Sequence, residues 1–193
     1  MIQVHLLALR FGSKEHYMII KDKHTVVELL LQQKVGAIFQ GSSEIGPRAL
    51  GNRSIIFDPR NPNGKEIVNI VKKREWYRPF AGTIMLEYVH DYFEMLTLKE
   101  SPWMSFAVKA KPKAHKEIPS IIHVDGTCRI QTVTKEQNKN FYELIEEFYK
   151  KTGVPVLFNT SFNLAGAPLV ETIEDALDTI NNSDISFLYL PED

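Results

Sequence analysis

"AIFQGSSEIGPRALGNRSIIF", residues 37–57, decides how the chain is read. Two apolar runs, "AIFQ" (37–40) and "SIIF" (54–57), are of strand length and bracket a segment rich in glycine and polar residues. They read as two buried strands that hold one loop between them. Within the loop, Gly46, Pro47 and Gly51 set the backbone path, while Arg48 and Arg53 bring rigid forks of donors suited to phosphate or carboxylate. The loop is therefore expected to hold an anion. The competing reading of Arg48 is an ion pair with Glu44 or Asp58, and for Arg53 the structural and binding readings both stand.

Charge is polarised around this loop. The whole chain, 193 residues with a net charge of −1, argues against nucleic-acid or membrane binding driven by bulk charge. Yet residues 48–78 carry a net +5, whereas residues 139–193 carry a net −7. A 44% hydrophobic content suffices for a real core in one domain. Cys128 is the only cysteine, so an intrachain disulfide is excluded and a reducing compartment is expected, with the cytoplasm as default. The N-terminal run "IQVHLLALR" is too short and too polar for a membrane span, and no signal-peptide cleavage pattern follows it.

Outward from the loop, strands and helices interleave. Residues 2–9 and 17–20 read as a strand hairpin. Thr25 and Glu28 form a capping-box pattern before a helix that Gly36 would end. Asn61-Pro62 starts a helix with apolar Ile67, Val68, Ile70 and Val71, closing in "KKRE". "GTIML" (82–86) and "WMSFAV" (103–108) read as strands with a short helix, "EYVHDYFEML", between them, and "KAKPKAHKEIP" as a polar connection. "CRIQTV" (128–133) alternates as a strand, a helix spans Phe141 to Tyr149, and "VPVLF" is a strand running into the loop "NTSFNLAGAP". A helix from Thr172 and the strand "ISFLYL" complete an α/β pattern with a mixed sheet.

Three polar groups follow core strands: Arg48 to Arg53, Arg129 with Gln131, and Asn159 to Asn163. Ligands in open α/β sheets bind beyond strand ends, so these loops are expected to meet in one crevice. "KKREWYRPF" (72–80) adds Lys72, Lys73, Arg74 and Arg78, and the set suits a ligand with several negative charges. Lysines at a helix C-terminus are also favoured as plain solvated charges, and Asn159 and Ser161 suit simple turns. His123 with Asp125 is read as a structural turn and Cys128 as a buried strand residue. Neither a P-loop nor a dinucleotide-binding turn is present, and no histidine pair has helical metal-site spacing.

The ordered blocks "FQGSSEIGPRALGNRSIIFDPR", "KKREWYRPFAG", "HVDGTCRIQTV" and "TGVPVLFNTSFNLAGAPLVETIEDAL" resemble the C-terminal, YrdC-like domain of the O-carbamoyltransferases that include the nodulation and antibiotic-carbamoylating enzymes. The resemblance implies an α/β fold, a YrdC-like twisted mixed sheet with flanking helices in a single domain over residues 36–193. Residues 1–35 would be an N-terminal hairpin and first helix packed on it. It further implies a cationic concave surface that binds carbamoyl phosphate and ATP, with Mg2+ carried on the nucleotide, and forms carbamoyl adenylate. By similarity Arg48, Lys72, Arg78 and Arg129 would be catalytic, and Arg74, Lys73, Asn159, Ser161 and Arg53 would bind the nucleotide. Lys73 and Lys72 exchange roles if the alignment shifts by one.

Family enzymes also carry a large actin-like N-terminal domain with histidine metal ligands, which delivers the carbamoyl group to an acceptor hydroxyl. The roughly 35 residues before the resemblance cannot build it. A separate acceptor-domain protein is therefore an expected partner. The alternatives are a threonylcarbamoyl-adenylate synthase-like enzyme and a non-catalytic nucleotide- or partner-binding subunit.

Overall fold

A computed structural model describes residues 17–192. In chain order its elements are β1 (Met18–Ile20), α1 (Lys23–Leu31), β2 (Gly36–Phe39), β3 (Arg53–Phe57), α2 (Gly64–Val71), β4 (Ala81–Met85), α3 (Val89–Tyr92) and β5 (Phe93–Glu94). They continue with β6 (Phe106–Ala110), α4 (Pro112–Glu117), β7 (Thr127–Val133), α5 (Lys139–Thr152), β8 (Val156–Ser161), α6 (Ile173–Asn181) and β9 (Phe187–Tyr189). The strands join in one mixed sheet of order β1-β9-β2-β3-β8-β4-β7-β6-β5.

The two strands that bracket the arginine loop are antiparallel neighbours, with Phe39 opposite Arg53. β3 and β8, then β8 and β4, are antiparallel, whereas β4 and β7 are parallel. These directions bring the end of β2, the start of β3, the end of β8 and the starts of β4 and β7 to one end of the sheet. There Ser54 faces Ser161, Asn159 faces Ala81, and Ala81 pairs with Arg129. The apolar runs behind this end are fully buried. Phe158 packs edge-on against Phe57 and 4.5 Å from Phe80, and burying such side chains supplies the main driving force for the fold.

Several local expectations change. The segment 2–9 lies outside the described residues, and 18–20 form β1, paired in parallel with β9. The cap of α1 is Asp22 rather than Thr25: its carboxylate accepts from both the N–H and the hydroxyl of Thr25 at 2.8 Å. Gly36 belongs to β2, because the Phe187 ring occupies the space where a Cβ would stand; the left-handed residue after α1 is Gln33. The polar connection contains a helix, α4, with Pro112 in the first turn, where its missing N–H costs nothing, and Ala114 buried. The helix expected over 87–96 stops at Tyr92 and gives way to β5. Arg129 and Gln131 lie inside β7, in the strand expected over 128–133, whereas β8 runs on through Asn159, Thr160 and Ser161, where the sequence suggests a loop.

Candidate functional site

The arginine loop is pinned to the sheet by a buried polar network. Asn159, fully buried, donates through its side-chain amide to Ala49 O (3.2 Å), Thr83 Oγ1 (2.9 Å) and Gln131 Oε1 (3.1 Å). Gln131 donates to Leu50 O, Thr83 donates to Gln131 Oε1, and Gly51 N–H donates to Ser54 Oγ. Three strands thus fasten consecutive peptides of one loop. Gly51 is required at its position: φ is 110°, and a Cβ would lie 2.2 Å from the Phe141 ring.

The two arginines of the loop have different surroundings. Arg53 is 3% exposed, and its η nitrogens donate to the carbonyls of Gln40, Gly41, Asn52 and Glu171, with the guanidinium 3.6 Å above the Phe39 ring. Its fork is spent on the protein's own backbone. Arg48 is exposed, and among the described residues its guanidinium hydrogen-bonds only the neighbouring Pro47 carbonyl, at 3.3 Å; neither Glu44 nor Asp58 pairs with it. Arg129 is half-buried, and its pKa is lowered by burial and by the charge of Arg48. Burial and the neighbouring positive charge both disfavour the charged form of Arg129, a cost that an anion bound beside it would offset.

A second cationic group follows α2. Lys72 is 3% exposed, and its ammonium donates to Ser161 O, to Asn163 O at 2.8 Å and to Asn163 Oδ1 at 3.0 Å, with Ser161 Oγ at 3.4 Å. Burial, then the nearby Arg74, lowers its pKa from 10.5 to about 7. Lys73, in the left-handed region with φ 54°, is turned outward and exposed. Arg74 stacks 4.0 Å from Phe80, donates from Nε to Asn69 Oδ1, and has its pKa lowered to about 10 by burial and Arg78. Asn69 also donates to the carbonyls of Trp76 and Arg78, which fixes the turn between them.

Lys72, Lys73, Arg74 and Arg78 line one groove of about 680 Å³ with Ser161, Asn163 and the 164–166 backbone. Glu75 is its one acid and pairs with Arg78 at 2.6 Å. Four cations against one carboxylate, beside neutral hydroxyl and amide groups, can neutralise and orient a polyphosphate. His123 lies between Phe80 O and Thr127 Oγ1, Asp125 accepts from Thr127, and Cys128 is buried with its thiol pushed up to about 12. Among the described residues no cluster of three or more His, Cys, Asp or Glu stands where it could hold a metal, and no helix is long and apolar enough to cross a membrane.

The residues expected at the site thus fall into Arg48 with Arg129, the Lys72–Arg78 group with Ser161, and the buried pair Arg53 and Asn159. Sequence reasoning missed the supports Thr83 and Asn69, and met Glu44 only as a partner for Arg48. A polar residue between apolar neighbours, as in "GTIM" and "IVNIV", is the signal that could have found the first two.

The chain is similar to known proteins in sequence and in fold. The nodulation protein NolNO of Sinorhizobium fredii is 46% identical over 151 residues, which is 77% of this chain and 22% of that protein. Among solved structures, full-length HypF in a phosphate- and nucleotide-bound form superposes with TM-score 0.62 at 20% identity, over 90% of this chain and 25% of that one. Sua5 of P. abyssi, complexed with L-threonine, does so with TM-score 0.61 at 10% identity, over 91% of this chain and 50% of that one. These likenesses show the YrdC-like fold, and the chain spans less than a quarter of the length of the nodulation protein it matches. The family model of the carbamoyltransferase C-terminus matches residues 27–192, from within α1 past β9, and so takes in every strand of the sheet but β1; the chain belongs to the carbamoyltransferase C-terminus family.

Proposed function

We propose that this chain is the donor-activating part of a carbamoyltransferase, binding carbamoyl phosphate and MgATP and forming carbamoyl adenylate. What supports the reading is that Arg129 at the start of β7 and the Lys72–Arg78 groove at the end of β8 belong to the same end of the sheet, within a domain of this family. Two anionic substrates need two seats. Arg48 and Arg129 suit the small phosphate of carbamoyl phosphate, and the Lys73, Arg74 and Arg78 groove suits the triphosphate of ATP.

In this reading water cleaves carbamoyl phosphate to carbamate and inorganic phosphate. A carbamate oxygen then attacks the α-phosphorus of ATP, and the bond to the β-phosphate breaks to release pyrophosphate. Negative charge builds on phosphoryl oxygens in both steps, and fixed guanidinium groups stabilise it without reorganising. Lys72 acts differently, holding Ser161 and Asn163 at the groove wall and placing a positive charge behind them. Arg53 and Asn159 hold the loop that presents Arg48. Mg2+ arrives on the nucleotide phosphates. Transfer to an acceptor hydroxyl falls to an acceptor domain outside these residues.

The test is to incubate the purified protein with carbamoyl phosphate and MgATP and follow phosphate and pyrophosphate release. Pyrophosphate that appears only when both substrates are present supports the reading. ATP binding with no such release contradicts it.

A further inference from the structure

The loop already contains an anion of its own. Glu44 turns back inside the loop, and its Oε1 accepts from the N–H groups of Leu50 (2.7 Å), Asn52 (2.7 Å) and Arg53 (3.3 Å). Among the described residues its Oε2 is buried without a hydrogen-bond partner, as is Nε of Arg53, beside whose charge it lies. Three main-chain donors on one carboxylate oxygen make a strong clasp. It joins the outgoing limb of the loop at residue 44 to the returning limb at residues 50–53. Between them only a short arc, residues 45–48, stands exposed, with Gly46 at φ 134° and Arg48 at its end. The limb after the arc has its own fastenings through Ala49, Leu50 and Gly51. The outgoing limb is tied back by Glu44 and by Asn52 Nδ2, which donates to Ser42 O.

We propose that Glu44 is a positioning residue for anion binding: by closing the base of the arc it fixes Arg48 beside the returning limb, which is fastened to Gln131, two residues along β7 from Arg129 and on the same face, so that the two guanidinium groups share one phosphate seat. Arg53 holds the start of the outgoing limb through the carbonyls of Gln40 and Gly41; past residue 41, among the described residues, the ties from Glu44 and Asn52 are what oppose the separation that like charges favour. This rests on the reading that this sheet end binds phosphate groups.

The experiment measures inorganic phosphate binding by calorimetry to the wild-type chain, Glu44→Gln, Arg48→Ala and the double variant, each checked for folding by circular dichroism. Each single change is expected to weaken binding about tenfold, and the double variant to bind within about twofold of Arg48→Ala alone, because a clasp has nothing to position once the arginine is gone. Glu44→Asp replaces Glu44→Gln in the cycle should the latter not fold; it keeps the charge and loses the reach. Additive losses, a Glu44 variant that binds like wild type, or no binding by the wild-type chain overturns the proposal. Carbamoyl-phosphate-dependent turnover is assayed in parallel: a coupled cycle without turnover upholds the role of Glu44 and counts only against the substrates proposed above.

Discussion

Asn159 in β8 and Ala49 in the arginine loop, 110 residues apart in the chain, are joined by a 3.2 Å hydrogen bond from a fully buried side-chain amide to a main-chain carbonyl. The bond makes the position of the loop a property of the sheet. The same amide reaches Thr83 on β4 and Gln131 on β7, so three strands set the height at which Arg48 leaves the surface.

Replacing Asn159 with Ala strips donors from three buried acceptors. The expected cost is about 2 kcal/mol of folding stability, read as a lower midpoint in urea at unchanged slope, together with weaker anion binding. A variant as stable as wild type would deny the network its role.

Arg53→Ala has a different signature from Arg48→Ala. Arg53 satisfies four carbonyls from within the fold, so its loss should destabilise by about 3 kcal/mol. Arg48 is exposed, and its removal should leave stability within about 0.5 kcal/mol of wild type. Thermal unfolding of the two variants side by side checks the contrast.

In turnover the order reverses for the pair at the seat. Arg48→Ala or Arg129→Ala should lower kcat/KM by about 2 to 4 kcal/mol of transition-state stabilisation, the usual effect of losing one fixed donor. Steady-state kinetics on both variants measures it, and unchanged turnover in both removes them from the site.

Lys72 gives the protein a pH dependence with a definite sign. Its folded pKa of about 7 lies below the ordinary 10.5, so between these values the unfolded chain holds a proton that the folded chain has released. Stability from this group therefore rises with pH across that window. Denaturation at pH 7 and pH 9 should show the rise in wild type and its loss in Lys72→Met. A polyphosphate in the groove raises the same pKa, so binding at pH 8 should take up protons, measurable by calorimetry in buffers of different ionisation enthalpy.

How far the sequence could be read follows from what each residue type signals. Apolar runs such as "SIIF" and "VPVLF" announce buried strands because few other settings tolerate them, and the core strands of the sheet come from such runs. Asn159 to Ser161 look like turn formers, and only cross-strand partners far away in the chain make them strand. Lys72 and Lys73 are indistinguishable as letters. A left-handed backbone at Lys73 sends one outward and leaves the other buried on the end of β8. Arg48 and Arg53 are separated by the carbonyls that ring Arg53, a feature of backbone geometry that no spacing encodes. Glu44 is legible in the sequence only as a partner for Arg48; its partners are the N–H groups of the returning limb.

Whether this domain makes an adenylate without an acceptor is read most directly from exchange of radiolabelled pyrophosphate into ATP. Exchange should require carbamoyl phosphate and fall on replacing Arg48 or Arg129. ATP that binds in the groove yet shows no carbamoyl-phosphate-dependent exchange would contradict adenylate formation by this chain.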